Sequence, residues 1–182
     1  MSDNLRVMRS GKIGLTVIVL AVINLTTGGL YAQSSVEATA IAEVVDVLKA
    51  SEVHSLNFGK FTPEEQGGEI IITPDGVRRS NGTVSLSGGI FNPASFQLFG
   101  QPDAPVSILL PQSTVVLTNS ITGKQMEVYD WTIGGGISLM GTVVLTKGSA
   151  IMNIGATLKV GTISDNPVGQ YSGSYIIIFS YN

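Results

Sequence analysis

Apolar and polar residues alternate with a period of two along most of this chain, which is the pattern of β-strands with two distinct faces. Glycine, proline and asparagine interrupt the alternation roughly every 8–12 residues, as they do between the strands of antiparallel sheets. Pro74-Asp75-Gly76 and Asn81-Gly82 are predicted turns, because proline presets φ and glycine accepts a positive φ. One β-sandwich or barrel is expected, with strands at residues 36–48, 55–61, 69–73, 77–79, 83–86, 95–99, 106–110, 114–117, 126–131, 143–146, 156–160 and 175–181.

Residues 36–48 also have a helical interpretation. The alanines of this segment would suit a helix, since alanine has the highest helix propensity. Val44, Val45 and Val47 are β-branched, however, and favour a strand. The strand is the prediction, because apolar residues occupy every second position at Val36, Ala38, Ala40, Ala42 and Val44.

The first 32 residues have the three regions of a secretory signal peptide. A positive start with two arginines and one lysine precedes an apolar run at residues 13–25, and small residues lead to a predicted cleavage after Ala32. The alternative is a membrane anchor, but the apolar run is shorter than the roughly 20 residues that a spanning helix needs. The sequence therefore predicts a signal peptide at residues 1–32 and one exported domain at residues 33–182, located in the periplasm, at the cell surface or outside the cell.

Charge and composition exclude several functional classes. The formal net charge is −3, and it becomes −5 without the basic leader, so a nucleic-acid partner is not expected. The absence of cysteine excludes disulfides, iron–sulfur clusters and cysteine nucleophiles, and a single histidine leaves little scope for a zinc site or a histidine base. No second apolar run is long and unbroken enough to span a membrane. We expect no metal and no cofactor.

Two long stretches of the chain, residues 80–102 and 104–123, contain no charged residue. Exposed edge strands usually carry lysine or other charges that prevent pairing with another chain. The edges of this sandwich are therefore either covered by loops or intended to pair with a partner strand, and the sequence leaves both alternatives open.

The last fourteen residues form another alternating segment, whose middle is apolar on both faces. This composition predicts a strand that is central in its sheet or covered. Gly169 stands fourteenth from the end and Tyr181 is penultimate. That spacing resembles the carboxy-terminal signature of bacterial chaperone–usher pilins, whose last strand a periplasmic chaperone holds by β-augmentation. The alternative is an ordinary terminal core strand.

Six blocks in order carry a broader resemblance, at residues 56–59, 68–76, 94–100, 106–111, 154–158 and 169–181. Together they resemble the bacterial domain of unknown function 4402 family of exported β-sandwich proteins. The resemblance implies an all-β chain with a single immunoglobulin-like, pilin-like antiparallel β-sandwich, related to pilin and spore-coat-type subunits. It supplies no catalytic residues, and the glycine-rich loop at residues 132–141 departs from it.

The other candidate chemical groups have structural interpretations. Glu64 and Glu65 follow a proline and precede two glycines, which predicts a solvated loop rather than a pair of catalytic acids. His54 is expected at a strand edge, and no G-x-S-x-G motif accompanies it. Tyr129 and Trp131 are expected to share one face and pack in the core; exposed, they would suit a carbohydrate or protein contact. We expect no enzyme and assign no catalytic, cofactor-binding or metal-binding residue; a hydrolase is only a formal alternative.

Two functional hypotheses follow. The first is an exported structural or adhesive subunit of a pilus-like or other surface assembly, in which residues 36–47 of one copy insert beside an open sheet edge of a neighbour. Its partners would be further copies, related subunits and a periplasmic chaperone at the strand that contains Gly169 and Tyr181. The second is a self-contained, adhesin-like binding module whose loops recognise carbohydrate or protein. Whether residues 33–50 pack within their own domain distinguishes the two.

Export can be tested with the full chain in a bacterial host. The protein recovered from the exported fraction is expected to begin at Gln33, because cleavage is predicted after Ala32. Amino-terminal sequencing and intact mass measure this directly. Recovery of a chain that keeps its first 32 residues would contradict the prediction.

Overall fold

The computed structural model describes residues 34–134, 137–138 and 140–182. The chain divides into two units after Glu43. In the described part of the first unit, residues 34–43, there is no strand and every side chain is exposed. The predicted signal peptide and its cleavage site lie outside the described residues.

The second unit is built from short antiparallel strands. No helix occurs in its described residues, and the predicted all-β antiparallel sandwich is confirmed. Within that part there are twelve strands: β1 (Lys49–His54), β2 (Phe61–Ile72), β3 (Arg78–Leu86), β4 (Ala94–Phe99), β5 (Pro105–Leu109), β6 (Val115–Asn119), β7 (Gln125–Ile133), β8 (Ile137–Ser138), β9 (Met140–Val144), β10 (Ser149–Val160), β11 (Tyr171–Ser172) and β12 (Ile178–Tyr181).

The strands form two sheets. The larger has nine strands along the order β1-β4-β10-β7-β6-β11, with β2 and β3 branching from β10 and β8 pairing with β7. The smaller has the order β12-β5-β9. Along β10, residues 149–154 pair with β4 and residues 156–160 pair with β2, while β7 pairs with residues 154–159. Gly155 lies between the two ranges, and the position suits glycine because a Cβ there would clash with the carbonyl oxygen of Ile72.

The core lies between the two sheets. Alternate side chains of β10 point inward, and those of Ile154 and Leu158 are almost completely buried. The smaller sheet contributes Ile108 to the same cluster, so the facing sheets share one apolar layer. The main cluster consists of Phe58, Ile70, Ile72, Val84, Ala94, Ile108, Leu110, Met126, Val128, Trp131, Ile133, Met152, Ile154, Ala156, Leu158 and Val160.

Of the two predicted turns, one is confirmed and the other is wrong. Pro74-Asp75-Gly76 joins β2 to β3, with Gly76 at φ +82° and its N–H donating to the carbonyl oxygen of Thr73 at 2.9 Å. Asn81-Gly82 lies inside β3 rather than ending a strand. Gly82 keeps its positive φ because it pairs with Gly68, next to an irregularity in the register of β2 and β3.

The strand predicted at residues 36–48 is wrong. No strand occurs from residue 34 to residue 48, and β1 begins at Lys49. Val36, Ile41 and Val44 are 86%, 90% and 96% exposed. Alternation gives a segment the composition of a strand, but strand structure needs a hydrogen-bonding neighbour, which this segment lacks in the described part of the chain.

The strand predicted at residues 55–61 is also wrong. Only Asn57 forms a bridge there, with Asn92, and β2 starts at Phe61. Gly59 has φ +75°, and its N–H donates to the side chain of Asn57 at 2.8 Å, so the backbone turns at this point. The strands predicted at residues 77–79 and 83–86 are parts of the single strand β3, and the remaining predicted strands are present with shifted bounds.

The carboxy-terminal segment differs from its prediction in position. Strand β12 begins only at Ile178, and among the described residues it pairs with β5 alone. The prediction of a central or covered strand is therefore wrong, because β12 is an edge strand of the smaller sheet. Ile176, which precedes β12, and Ile178 are 78% and 53% exposed, so the apolar outer face of this segment is not covered by the described residues.

The role of β10 in the core can be tested with two isoleucines of the same strand. Ile154→Ala is expected to lower the free energy of unfolding by about 2–5 kcal/mol, since it removes fully buried methylene groups. Ile151→Ala is the matched control; its side chain is 68% exposed, and a change of no more than about 0.5 kcal/mol is expected. Denaturant unfolding measures both, and equal effects would contradict the assignment of faces.

Candidate functional site

The residues with potential chemistry are scattered in the structure. His54 is the exposed last residue of β1, as expected. Glu64 and Glu65 are exposed as predicted, but they belong to β2 instead of a loop. In the residues that can be described, no group of three or more histidine, cysteine, aspartate or glutamate side chains could hold a metal ion. Nor is any helix found there of the length and apolarity needed to cross a membrane.

Tyr129 and Trp131 lie on opposite faces of β7, so the prediction that they share a face is wrong. Asp130 has φ +47°, and an extra residue of β7 is accommodated there opposite β10. This β-bulge reverses the alternation of side chains. Trp131 packs in the core at 5% exposure, whereas Tyr129 lies on the outer face and its hydroxyl donates to the carboxylate of Glu69. That hydrogen bond raises the pKa of Tyr129 to about 12.

A long groove opens between the beginning and the end of the second unit. It consists of a cavity of about 520 Å³ and a neighbouring cavity of about 880 Å³, which share Ser55, Leu56 and Gly173 as lining residues. We call this continuous depression the seam groove. One wall is formed by residues 50–63 and the other by residues 163–179. Its floor includes the apolar side chains of Phe96, Leu117, Met126 and Leu158.

The two walls of the seam groove run in opposite directions. Residues 50–56 lie across from residues 173–179, and residues 55–63 lie across from residues 163–173. A strand placed between the walls would therefore be antiparallel to one and parallel to the other.

The carboxy-terminal wall ends in the open edge of β12. The N–H of Asn182 donates to the carbonyl oxygen of Pro105 at 3.3 Å, next to the pairs that β12 forms with β5. Because hydrogen-bonded residues alternate along an antiparallel strand, Ile178 and Ser180 direct their backbone groups to β5. The backbone groups of Phe179 and Tyr181 point the other way, where the described residues provide no partner strand.

Aromatic side chains fill the base of the groove near this edge. Tyr175 contacts Trp131 with ring centroids 4.6 Å apart, and Phe179 contacts Phe96 with centroids 5.8 Å apart. The hydroxyl of Tyr175 and the indole N–H of Trp131 are buried, and neither has a hydrogen-bond partner within the described structure. Buried polar atoms are normally paired, so this end of the core carries an energetic cost.

The surroundings of Tyr175 change its acidity. Burial raises the pKa of its hydroxyl to about 12, because the charged phenolate is poorly solvated, and the negative charge of Glu52 acts in the same direction. The backbone of Leu56 opposes this shift in pKa, although it does not reach hydrogen-bond geometry.

Gly169 and Tyr181, the two residues of the pilin-like spacing, have structural contacts. Gly169 packs against the side chain of Asn119, which would clash with a Cβ at this position. The hydroxyl oxygen of Tyr181 accepts a hydrogen bond from the backbone N–H of Gln101 at 2.7 Å. The two residues therefore mark the start of the carboxy-terminal wall and the end of the open edge.

Sequence reasoning missed the seam groove. The one available signal was that residues 175–181 are apolar on both faces, which indicated that something covers this segment. The composition did not indicate what covers it. The open edge could not be inferred without the strand order.

Comparison with known proteins gives one match. The model of the family described as domain of unknown function (DUF4402) matches residues 48–181. No curated protein and no solved structure matches the chain.

The raised pKa of Tyr175 predicts a loss of stability at high pH. In the unfolded chain tyrosine ionises near its ordinary pKa of 10.0, below the folded pKa of about 12, so the free energy of unfolding falls as the pH rises from 10 to 12. Tyr175→Phe should make this decline shallower. Tyr129→Phe should change the decline less, because Tyr129 is more accessible and solvent screens the interactions that raise its pKa. Denaturant unfolding across this pH range measures the slope, and an unchanged slope in Tyr175→Phe would refute the assignment.

Proposed function

Because the chain belongs to the domain of unknown function 4402 family over residues 48–181, whose description states no activity, we propose a function from the geometry of the seam groove. The protein is an exported structural or adhesive subunit of a surface assembly, such as a pilus-like fibre. Its copies, or related subunits, join by pairing a strand of one with a sheet edge of another.

The observation that carries this proposal is the open edge of β12 beside an apolar groove. An unpaired edge offers free backbone N–H and C=O groups, which a strand from another chain can satisfy. The groove beside it has an apolar floor, so a strand bound there would also bury apolar side chains. Main-chain hydrogen bonds and side-chain burial are the two components of β-strand addition.

The composition of this edge supports the same function. Residues 173–182 contain no charged residue and no proline, and Ile178 exposes an apolar side chain on the edge strand itself. Proteins that remain monomeric usually protect an edge with lysine, proline or a covering loop. An edge without such protection is suited to pairing.

Export and protection of the edge belong to the same proposal. The leader at residues 1–32 has the composition of a signal peptide, which would direct the chain to the periplasm or the cell surface. Before assembly, the open edge needs a temporary cover. A periplasmic chaperone that adds a strand along the wall between Gly169 and Tyr181 would supply it.

The alternative of a self-contained module whose loops recognise carbohydrate or protein loses its aromatic candidates. Exposure of Tyr129 and Trp131 would have supported it, and the side chain of Trp131 is buried in the core. Tyr129 alone, engaged with Glu69, does not form an aromatic platform. We therefore do not propose this function.

Assembly through the edge of β12 can be tested by placing a lysine there. The exported chain is expected to have a molar mass above that of one subunit, increasing with concentration, in size-exclusion chromatography with light scattering. In Ile178→Lys, the concentration at which subunits assemble should rise at least about tenfold, because an edge lysine opposes strand addition. A tenfold change corresponds to about 1.4 kcal/mol of association free energy. Ile151→Lys is the matched control, since Ile151 is similarly exposed but lies on β10 of the larger sheet, outside the sheet that contains β12.

Two results would contradict the proposed function. One is a chain that stays monomeric at every concentration tested. The other is an assembly that Ile178→Lys and Ile151→Lys weaken equally, which would point to general surface charge in place of the open edge.

A further inference from the structure

We propose that the seam groove is occupied by residues 36–44 of a second copy of this chain, running antiparallel to β12. This inference rests on the proposed function and adds to it the binding segment, the acceptor site and the direction of the inserted strand. In this arrangement each copy both donates residues 36–44 and accepts the same segment from a neighbour.

Residues 36–44 have the properties of a strand without a partner. All their side chains are exposed, and no strand is formed there. The two ends of the segment, Val36 and Val44, remain 86% and 96% exposed, which is unfavourable for apolar side chains in water. On an extended backbone one face would consist of Val36, Ala38, Ala40, Ala42 and Val44 only.

The shape of the groove suits this face. Phe96, Tyr175 and Phe179 line the smaller cavity, so a face inserted there would meet aromatic side chains. All five residues on the donor face are apolar, which matches this lining. An extended segment of nine residues is about 30 Å long, comparable with the wall at residues 171–181.

The open edge fixes the direction of the inserted strand. Both sheets are antiparallel throughout their described strands, and a donor that continues the smaller sheet in this manner runs antiparallel to β12. It would then pair with the free backbone groups of Phe179 and Tyr181. Since the two walls run in opposite directions, the donor is parallel to β1, with Val36 near Ala50 and Ala40 near Ser55.

The composition and contacts of the linker at residues 45–48 favour an occupant from another copy. To enter its own groove beside β1, the segment would have to reverse within residues 45–48. That linker contains no glycine, proline or asparagine; Asp46 is its one residue of a turn-forming type, and two of its four residues are valines, which are unfavourable in tight turns. The backbone N–H of Asp46 also donates to the Gln101 side chain at 3.4 Å, and Leu48 packs against the cluster around Leu98. Both contacts hold the linker at the end of β4.

The absence of cysteine permits a test by disulfide trapping. A chain that carries both Ala40→Cys and Ser55→Cys is expected to form a ladder of covalent dimers and larger species under mild oxidation, seen in non-reducing electrophoresis. The matched control combines Ala40→Cys with Thr142→Cys, an exposed position on β9 outside the groove. It should give at least about tenfold less cross-linked product, since disulfides need Cα atoms within about 7 Å.

The direction of the donor is tested with a second pair of double variants. Val36→Cys with Ala50→Cys should cross-link between copies, whereas Val44→Cys with Ala50→Cys should not. The opposite result would overturn the antiparallel pairing with β12.

Matched charge substitutions test the apolar face without introducing disulfides. Ala40→Asp places a carboxylate on the buried face and should weaken assembly at least about tenfold, because an unpaired buried charge is strongly unfavourable. Thr39→Asp places it on the opposite face and should change assembly less than about twofold, which is the effect of an ordinary surface charge. Both residues lie in the exposed segment, so the fold of the second unit is expected to be unaffected.

The outcomes separate this inference from the proposed function. A covalent ladder together with the contrast between Ala40→Asp and Thr39→Asp supports both. An assembly that Ala40→Asp leaves intact, with no ladder, overturns the donor segment while strand assembly through β12 stands. An intramolecular disulfide in a monomer overturns the second copy as the occupant. A chain that never assembles overturns the proposed function itself.

Discussion

The pairing of β10 with three strands organises the rest of the molecule. Its first half pairs with β4 and its second half with β2, while β7 pairs with residues 154–159 on the other side. The larger sheet therefore branches at Gly155, where a side chain would collide with the backbone of Ile72. Because alternate residues of β10 point inward, both branches direct their apolar faces to the same core.

The branching also creates the seam groove. Residues 50–56 belong mainly to the β1 branch and residues 61–63 to the β2 branch, and the turning segment between them completes one wall. The chain end forms the other wall and supplies the edge strand β12. A sandwich with this topology leaves a depression whose floor has apolar side chains and whose rim has free backbone groups. Such a site favours an extended segment over a compact ligand.

The chain's scarcity of charge has a clear consequence in this setting. The uncharged residues 173–182 include the open edge, so no electrostatic barrier prevents another strand from approaching. The same property makes the isolated edge vulnerable to indiscriminate association. Specific occupancy of the groove, first by a chaperone and then by another subunit, would resolve this conflict.

The sequence predicted the fold class well because alternation and turn residues are local signals. The turn at Pro74-Asp75-Gly76 and the absence of helix in the described residues follow directly from them. The errors arise where tertiary context decides. The bulge at Asp130 separates the faces of Tyr129 and Trp131, which alternation alone would place together.

Strand pairing is the other property that local patterns cannot supply. Residues 36–48 have the composition of a strand but form none, and residues 175–181 have that of a central strand but end at an edge. Among the described residues, the first segment has no partner strand, and the second has a partner on one side only. In the proposed assembly these two segments are complementary, the first as the donor and the second as the acceptor.

Amide hydrogen exchange along β12 tests this account most directly. In dissociated chains, the amides of Ile178 and Ser180 should exchange slowly because they face β5, while those of Phe179 and Tyr181 should exchange rapidly. Upon assembly, the account predicts that Phe179 and Tyr181 become protected, together with alternate amides of residues 36–44. Assembly without any gain of protection at Phe179 and Tyr181 would contradict the central claim that subunits join by adding a strand to this edge.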